Sequence, residues 1–178
     1  MPRLHTQDIS TATGQAAQLF TAIKSAVGKV PNAYADIGVN SAVALESVLG
    51  LDASLRKSSL SSKQIEAVKL AVSEAADCDY CLAAHSLMAK KLGLSAAAVI
   101  GLRRAEASGD AQLDALAVFA RELVTTRGTV PASLVEAVKA AGYTDAQIVD
   151  TLLAVTAITF TNLFNRVNDT VVDFPAAD

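Results

Sequence analysis

Leu60-Ser-Ser-Lys-Gln64-Ile65-Glu66-Ala-Val68-Lys-Leu70-Ala-Val72 reads as the opening of a helix, and it sets the type of the whole chain. Ser61 and Gln64 have the spacing of a capping box, in which each side chain satisfies a backbone N–H that the first turn leaves unpaired. Leu60 and Ile65 flank the box as a hydrophobic staple. Ile65, Val68, Leu70 and Val72 then supply the buried side. Thr144 and Gln147 repeat the arrangement, with Tyr143 and Ile148 as the staple, and predict a last helix from about Asp145 through Phe164 or beyond.

Between and around these two starts the punctuation is helical. A first helix is expected from Gln7 to Val27, closed by Gly28 and followed by a Val30-Pro-Asn32 loop. Asn40 or Ser41 opens a second stretch towards Leu55. Ser95 caps a short helix to about Arg104, Ser108-Gly-Asp110 breaks it from a helix over Leu113 to Thr126, and Pro131 sits at the first position of another that Gly142 ends. Strand signals are confined to Thr170-Val-Val-Asp173, and one short run makes no sheet. The reading is all-α: a single-domain helical bundle of about eight helices over residues 1–178.

The chemistry concentrates in Glu74-Ala-Ala-Asp77-Cys78-Asp-Tyr80-Cys81-Leu-Ala-Ala-His85, which holds both cysteines and one of the two histidines. At about 100° per residue, Cys78, Cys81 and His85 project within roughly 60° of one another. Asp77 is the expected N-cap, placing Cys78 in the first turn, where the orphan N–H groups favour an anion. Gly93 is the expected C′ residue after Lys90 and Lys91. A thiolate is the reactive form of cysteine, and a helix N-terminus or a nearby histidine lowers the thiol pKa. Two buried small apolar residues are the bland alternative. Zinc is another, but a structural site wants four ligands and His5 is the other histidine, so no metal is expected. His85, one turn after Cys81, is placed to exchange its proton near neutral pH. Glu66 reads from spacing alone either as a surface carboxylate paired with Lys63 or Lys69 or as part of the site. Glu74 is nearer in sequence, but the break at Asp77 turns it away.

Composition bounds the function classes. Apolar residues make up 52% of the 178 and charged residues 19%, with no tryptophan and a net charge of −3. The pI near 5.3 and the absence of a basic stripe exclude nucleic acid as the expected partner. The N-terminus lacks an apolar signal core, and the run Ile148 to Phe160 is too short to span a bilayer, so a cytoplasmic protein with no membrane partner is expected. In that reducing compartment a Cys-x-x-Cys pair is catalytic or metal-binding rather than a staple. The apolar excess points to a homo-oligomer.

Glu66, twelve residues before Cys78-x-x-Cys81-x-x-x-His85, resembles the signature of the AhpD-like alkylhydroperoxidases of the carboxymuconolactone decarboxylase superfamily. Val30-Pro-Asn-Ala-Tyr34, Leu60 to Glu66, Lys91-Leu-Gly-Leu-Ser95 and the Asn165 to Pro175 tail resemble its peroxidase-related members. The specific core lies at about residues 60–102. The resemblance implies an enzyme with no bound cofactor that reduces hydroperoxides: Cys81 attacks the peroxide, Cys78 resolves the sulfenic acid as a Cys78–Cys81 disulfide, and Glu66 and His85 relay protons. Electrons then come from an external dithiol such as a dihydrolipoyl protein. The superfamily's decarboxylases lack the cysteine pair. Where well-studied relatives carry an inner histidine, Tyr80 stands here in a supporting role. A non-catalytic thiol redox sensor, or disulfide-switch interaction protein, is the competing class; a zinc-stabilised scaffold is a third.

Overall fold

The structure is a computed structural model in which residues 1–177 are described. Among them there is no strand, and nine α-helices follow one another: α1 (Gly14–Val27), α2 (Asn32–Asn40), α3 (Ala42–Leu55), α4 (Ser62–Ala75), α5 (Asp79–Lys91), α6 (Ala96–Arg104), α7 (Ala111–Thr125), α8 (Ala132–Ala140) and α9 (Asp145–Asn168). Helix α4 is the hub and packs on α5, α6, α7 and α9. Its small and branched face explains why. Ala67, Leu70 and Ala71 meet Ala89, Val99, Leu102, Leu113 and Ala117 with almost no exposed surface. Alanines at these contacts let helix axes approach closely, so four neighbours fit round one helix.

Both capping boxes form. Ser61 accepts from the Gln64 N–H while the Gln64 side chain accepts from the Ser61 N–H, and Thr144 and Gln147 do the same at α9. Leu60 is buried beneath the first of them. Ser95 and Ser41 cap α6 and α3 through the Ala98 and Ala44 N–H groups. Gly93 takes a left-handed φ of +87°, as expected of a C′ residue.

Two expectations at the N-terminal end are corrected. The first helix begins at Gly14, not Gln7; Asp8 caps a separate 3₁₀ turn at Ile9–Thr11. The expected loop ends one residue early, at Pro31, and residues 32–40, where no element was expected, are helix α2. Its interior Gly38 makes the sequence look broken, yet the glycine is there because the Phe20 ring and Leu45 occupy the space a Cβ would need.

Helix α9 runs beyond the Ile148–Phe160 stretch at both ends, as the capping box predicts, and its 24 residues, with a mean hydropathy of 1.4 over an 18-residue window, are by length and composition alone enough to cross a membrane. Its inner face carries Thr151, Ala154, Ile158, Asn162 and Asn165 against the bundle, whereas Val149, Leu152, Phe160, Leu163 and Val167 are exposed.

Candidate active site

The link between α4 and α5 positions the thiols. Helix α4 closes in a Schellman motif: the Asp77 N–H donates to the Glu74 carbonyl at 3.1 Å and the Cys78 N–H to the Ser73 carbonyl at 3.0 Å. Asp77 is the left-handed residue of that motif, with φ +48°. It is therefore not the N-cap of α5. Cys78 itself is, one residue later than expected, and the Leu82 N–H donates to its carbonyl at 2.9 Å. Asp suits the left-handed position better than most residues with a Cβ. The tight link folds α4 and α5 into an antiparallel pair, which carries Glu66 back to His85. Their side chains meet at 2.8 Å between Glu66 Oε2 and His85 Nδ1. Glu66 is thus part of the site, whereas Glu74 is held by Arg103 Nε at 2.7 Å. With Nδ1–H donating to the carboxylate, the other imidazole nitrogen is the free proton acceptor.

Both cysteines are buried and reduced. The two thiols share a hydrogen bond that divides their acidities. Cys78 is held below the usual thiol range because Cys81 donates to it and Arg166 lies nearby, against the opposing effect of burial. Cys81 is raised, because it holds the shared proton next to Cys78 and is itself buried. Of the two, Cys78 is therefore the thiol that ionises first and Cys81 the one that keeps its proton longer. Cys81 Sγ also receives the Asn165 Nδ2 donor at 3.4 Å and lies 4.0 Å from Thr161 Oγ1. Among the described residues no hydrogen bond joins Cys81 to His85. The one-turn spacing puts both on a common cavity rather than in contact.

That cavity, of about 570 Å³, is walled by Cys81, His85, Glu66 and Tyr80 together with apolar residues such as Ile65 and Met88. Cys78 does not line it. Deeper polar residues include an ion pair that sequence spacing did not reveal, Lys69 Nζ to Asp52 Oδ1 at 2.9 Å, to which Tyr34 adds a hydroxyl donor at 3.0 Å. Burial opposes the Asp52 charge, but Lys69 and Tyr34 outweigh it and hold the carboxyl below its ordinary value.

Tyr80 does not point free into the cavity. Its hydroxyl donates to Asp173 Oδ1 at 2.7 Å and accepts from the Ala33 N–H at 3.0 Å. Lys29 Nζ pairs with Asp173 at 2.7 Å, and the Phe174 ring stands edge-on to Tyr80 at 5.5 Å. The segment after α9 is thus latched across the start of α5, and Asp173, Phe174 and Pro175 form part of the cavity wall. Burial and the Asp173 carboxylate raise the Tyr80 phenol, so it is no proton acceptor near neutral pH. Asn165 and Thr161 are the residues the sequence reading left out of the site. Asn162, Asn165 and Asn168, three apart on an apolar helix, mark a polar face that includes Asn165, though not its link to Cys81; Thr161 has no such signal. No three of His, Cys, Asp and Glu gather among the described residues in a way that would hold a metal ion.

Residues 43–121 match the model of the carboxymuconolactone decarboxylase family. No curated protein matches the chain significantly. Among solved structures, a peroxidase-related protein from Ralstonia eutropha JMP134, described as an alkylhydroperoxidase AhpD core, superposes with a TM-score of 0.86 at 16% identity, covering 97% of this chain and 92% of that one. A peroxidase-related protein from Silicibacter sp. TM1040 gives 0.80 at 20% identity, covering 99% and 96%. The debrominase Bmp8 gives 0.78 at 18% identity, covering 94% and 90%. At these identities the likeness is one of fold.

Proposed function

We propose that the chain, whose residues 43–121 match the carboxymuconolactone decarboxylase family and whose fold is shared with AhpD-like proteins, is an AhpD-like member of that superfamily and a thiol-dependent hydroperoxide reductase. The observation that carries the reading is the division of labour at the cysteine pair: Cys81 faces a mainly apolar cavity that Glu66 and His85 also line, and Cys78, outside that lining and hydrogen-bonded to Cys81, has the lowered pKa that suits a resolving thiol.

The chemistry balances as follows. Cys81 gives up its proton to the Glu66–His85 pair, and its sulfur attacks the outer oxygen of ROOH. An S–O bond forms, the O–O bond breaks, and the departing alkoxide takes the proton from His85 to leave as ROH. Cys78 thiolate then attacks the sulfur of the Cys81 sulfenic acid. The S–S bond forms, the S–O bond breaks, and the hydroxide leaves as water with the proton that Cys78 gave up on ionising. An external dithiol, of the dihydrolipoyl kind, reduces the disulfide and is itself oxidised to one. The reading places the protein in the cytosol, without a bound cofactor, and as a homo-oligomer joined through the apolar stripe of α9.

Steady peroxide consumption with a dithiol donor tests it. Cys81→Ser is expected to abolish reaction, Cys78→Ser to react once and stop at a trappable sulfenic acid on Cys81, and Glu66→Gln to slow turnover by about 10²–10⁴-fold. A trapped adduct on Cys78 in the Cys81→Ser protein would reverse the roles of the thiols. The second reading, a redox sensor, draws on the Tyr80 hydroxyl, which is engaged by Asp173 and Ala33 rather than free to relay protons. A sensor consumes one equivalent of peroxide per chain and then stops, whatever donor is supplied.

A further inference from the structure

Asn165 projects from α9 to the cysteine pair and is 5% exposed. Its two polar atoms are used unequally. Nδ2 donates to Cys81 Sγ at 3.4 Å, whereas Oδ1 is buried with no hydrogen-bond partner among the described residues. Leaving a buried acceptor unpaired costs about 1–3 kcal/mol, so such a group calls for an explanation. A leucine at this position would avoid that cost. An amide also cannot exchange a proton with a thiol, so it is unsuited to the relay that Glu66 and His85 are placed to perform. What an amide can do is hold a sulfur atom in each of its states.

We propose that Asn165 is a catalytic residue of the Cys81 cycle, donating through Nδ2 to the Cys81 thiolate and accepting through Oδ1 the O–H of the Cys81 sulfenic acid. The thiolate half follows from the contact already present. Attack on a peroxide requires Cys81 to carry a negative charge once its proton has passed to the Glu66–His85 pair, and a fixed donor beside Cys81 favours that charge without reorganising at the moment of reaction. The sulfenic half rests on the peroxidase reading. Oxidation adds one hydroxyl to the sulfur, and the unpaired Oδ1 belongs to the group already touching that sulfur. Its unmet acceptor in the reduced state becomes a met one in the oxidised state. Thr161 Oγ1 adds a weaker contact to the same sulfur, its own proton being given to the Ile158 carbonyl at 3.0 Å.

The charged and titratable groups around Cys81 come from several elements. Tyr34 on α2, Asp52 and Arg56 on α3, Glu66 and Lys69 on α4, His85 on α5 and Asp173 in the tail line its cavity. Cys78, Asp79 and Arg166 act on the pair from the helix start. None of these is altered by a change at Asn165, so a shift in the Cys81 titration between two proteins differing only there reports the amide.

Alkylation of Cys81 by iodoacetamide across the pH range, in protein carrying Cys78→Ser, reads the thiolate half without any peroxide. Adding Asn165→Leu removes the donor at similar volume and introduces no charge. The profile is expected to move to higher pH, with the rate near neutrality at least tenfold lower and the melting curve retained. Superimposable profiles would overturn the proposal. Asn165→Leu reads the other half as well: one equivalent of hydroperoxide is added, and the sulfenic acid on Cys81 is trapped after increasing delays. A several-fold shorter life, with over-oxidation to the sulfinic acid, is expected. An unchanged lifetime would overturn the role given to Oδ1. Should Asn165→Leu not fold, the same profile and delay series on Asn165→Ala decide. Absence of peroxide reaction in the wild-type protein would refute the peroxidase reading, while the alkylation profile would still decide whether Asn165 acts on the thiolate.

Discussion

At the scale of single residues, Asp52 is the most exacting group outside the cysteine pair. It accepts from Lys69 at 2.9 Å and Tyr34 at 3.0 Å on the wall of the cavity. Removing its charge leaves the Lys69 ammonium without its partner in a site where both side chains are mostly covered. Asp52→Asn should therefore lower stability at neutral pH by about 1–3 kcal/mol, as for hydrogen bonds to charged groups. The sign of the pH dependence follows from the depressed carboxyl. Its contribution is fully present above the ordinary value of 3.8 and is lost as pH falls through the still lower folded value. The gap between wild type and Asp52→Asn in urea unfolding should thus be wide near pH 7 and close below pH 3.8. A gap of equal size at both pH values would show that the loss is one of packing.

At the scale of elements, the second informative glycine is Gly101 in α6. A Cβ there would lie 2.5 Å from the backbone oxygen of Ala107, where the chain turns back after the helix, and backbone cannot step aside. Helix propensity favours alanine over glycine by about 1 kcal/mol, yet overpacking costs about 1–3 kcal/mol, so Gly101→Ala should destabilise. Gly50 in α3 is the control. Nothing lies within 4 Å of its Cβ position, and Gly50→Ala should stabilise by about 0.5–1 kcal/mol. Thermal melts of both variants check the pair, and opposite signs are the expected outcome. The same contrast explains what could be read from sequence. Capping boxes are local, so the starts of α4 and α9 were legible to the residue. Cys78, Cys81 and His85 were legible because they lie within two turns of one another, whereas spacing left Glu66 open and only the family resemblance brought it into the site. Helix α2 was not, since Gly38 answers to Phe20 and Leu45 rather than to its own turn. Asp77 was misread because an aspartate between two helices serves equally as the end of one or the cap of the next. Asn165 and Thr161 lie about eighty residues from Cys81, and nothing local to either ties them to it.

For the whole molecule, the outer face of α9 is where the proposed homo-oligomer is tested. Val149, Leu152, Phe160, Leu163 and Val167 form an apolar stripe along a helix whose other face is packed on the bundle. A stripe of this length is the kind of surface that a second copy covers. Light scattering should return a multiple of 18.4 kDa at micromolar concentration. The double variant Phe160→Asp and Leu163→Asp should fall to one chain. A wild-type mass of a single chain would remove the stripe as an interface.

The latch over Tyr80 has a consequence in time. Asp173 and Phe174 complete the wall beside Cys81, and Asn165 supplies its amide, yet all three are translated long after the thiols. At about 5–20 residues per second, the cysteine helix waits on the order of 5–20 s for the segment that encloses it. During that interval the nascent chain carries two adjacent thiols with neither amide nor wall. Cotranslational oxidation and cotranslational folding thus compete for the same pair of sulfur atoms, and the order of synthesis gives the oxidant the first opportunity.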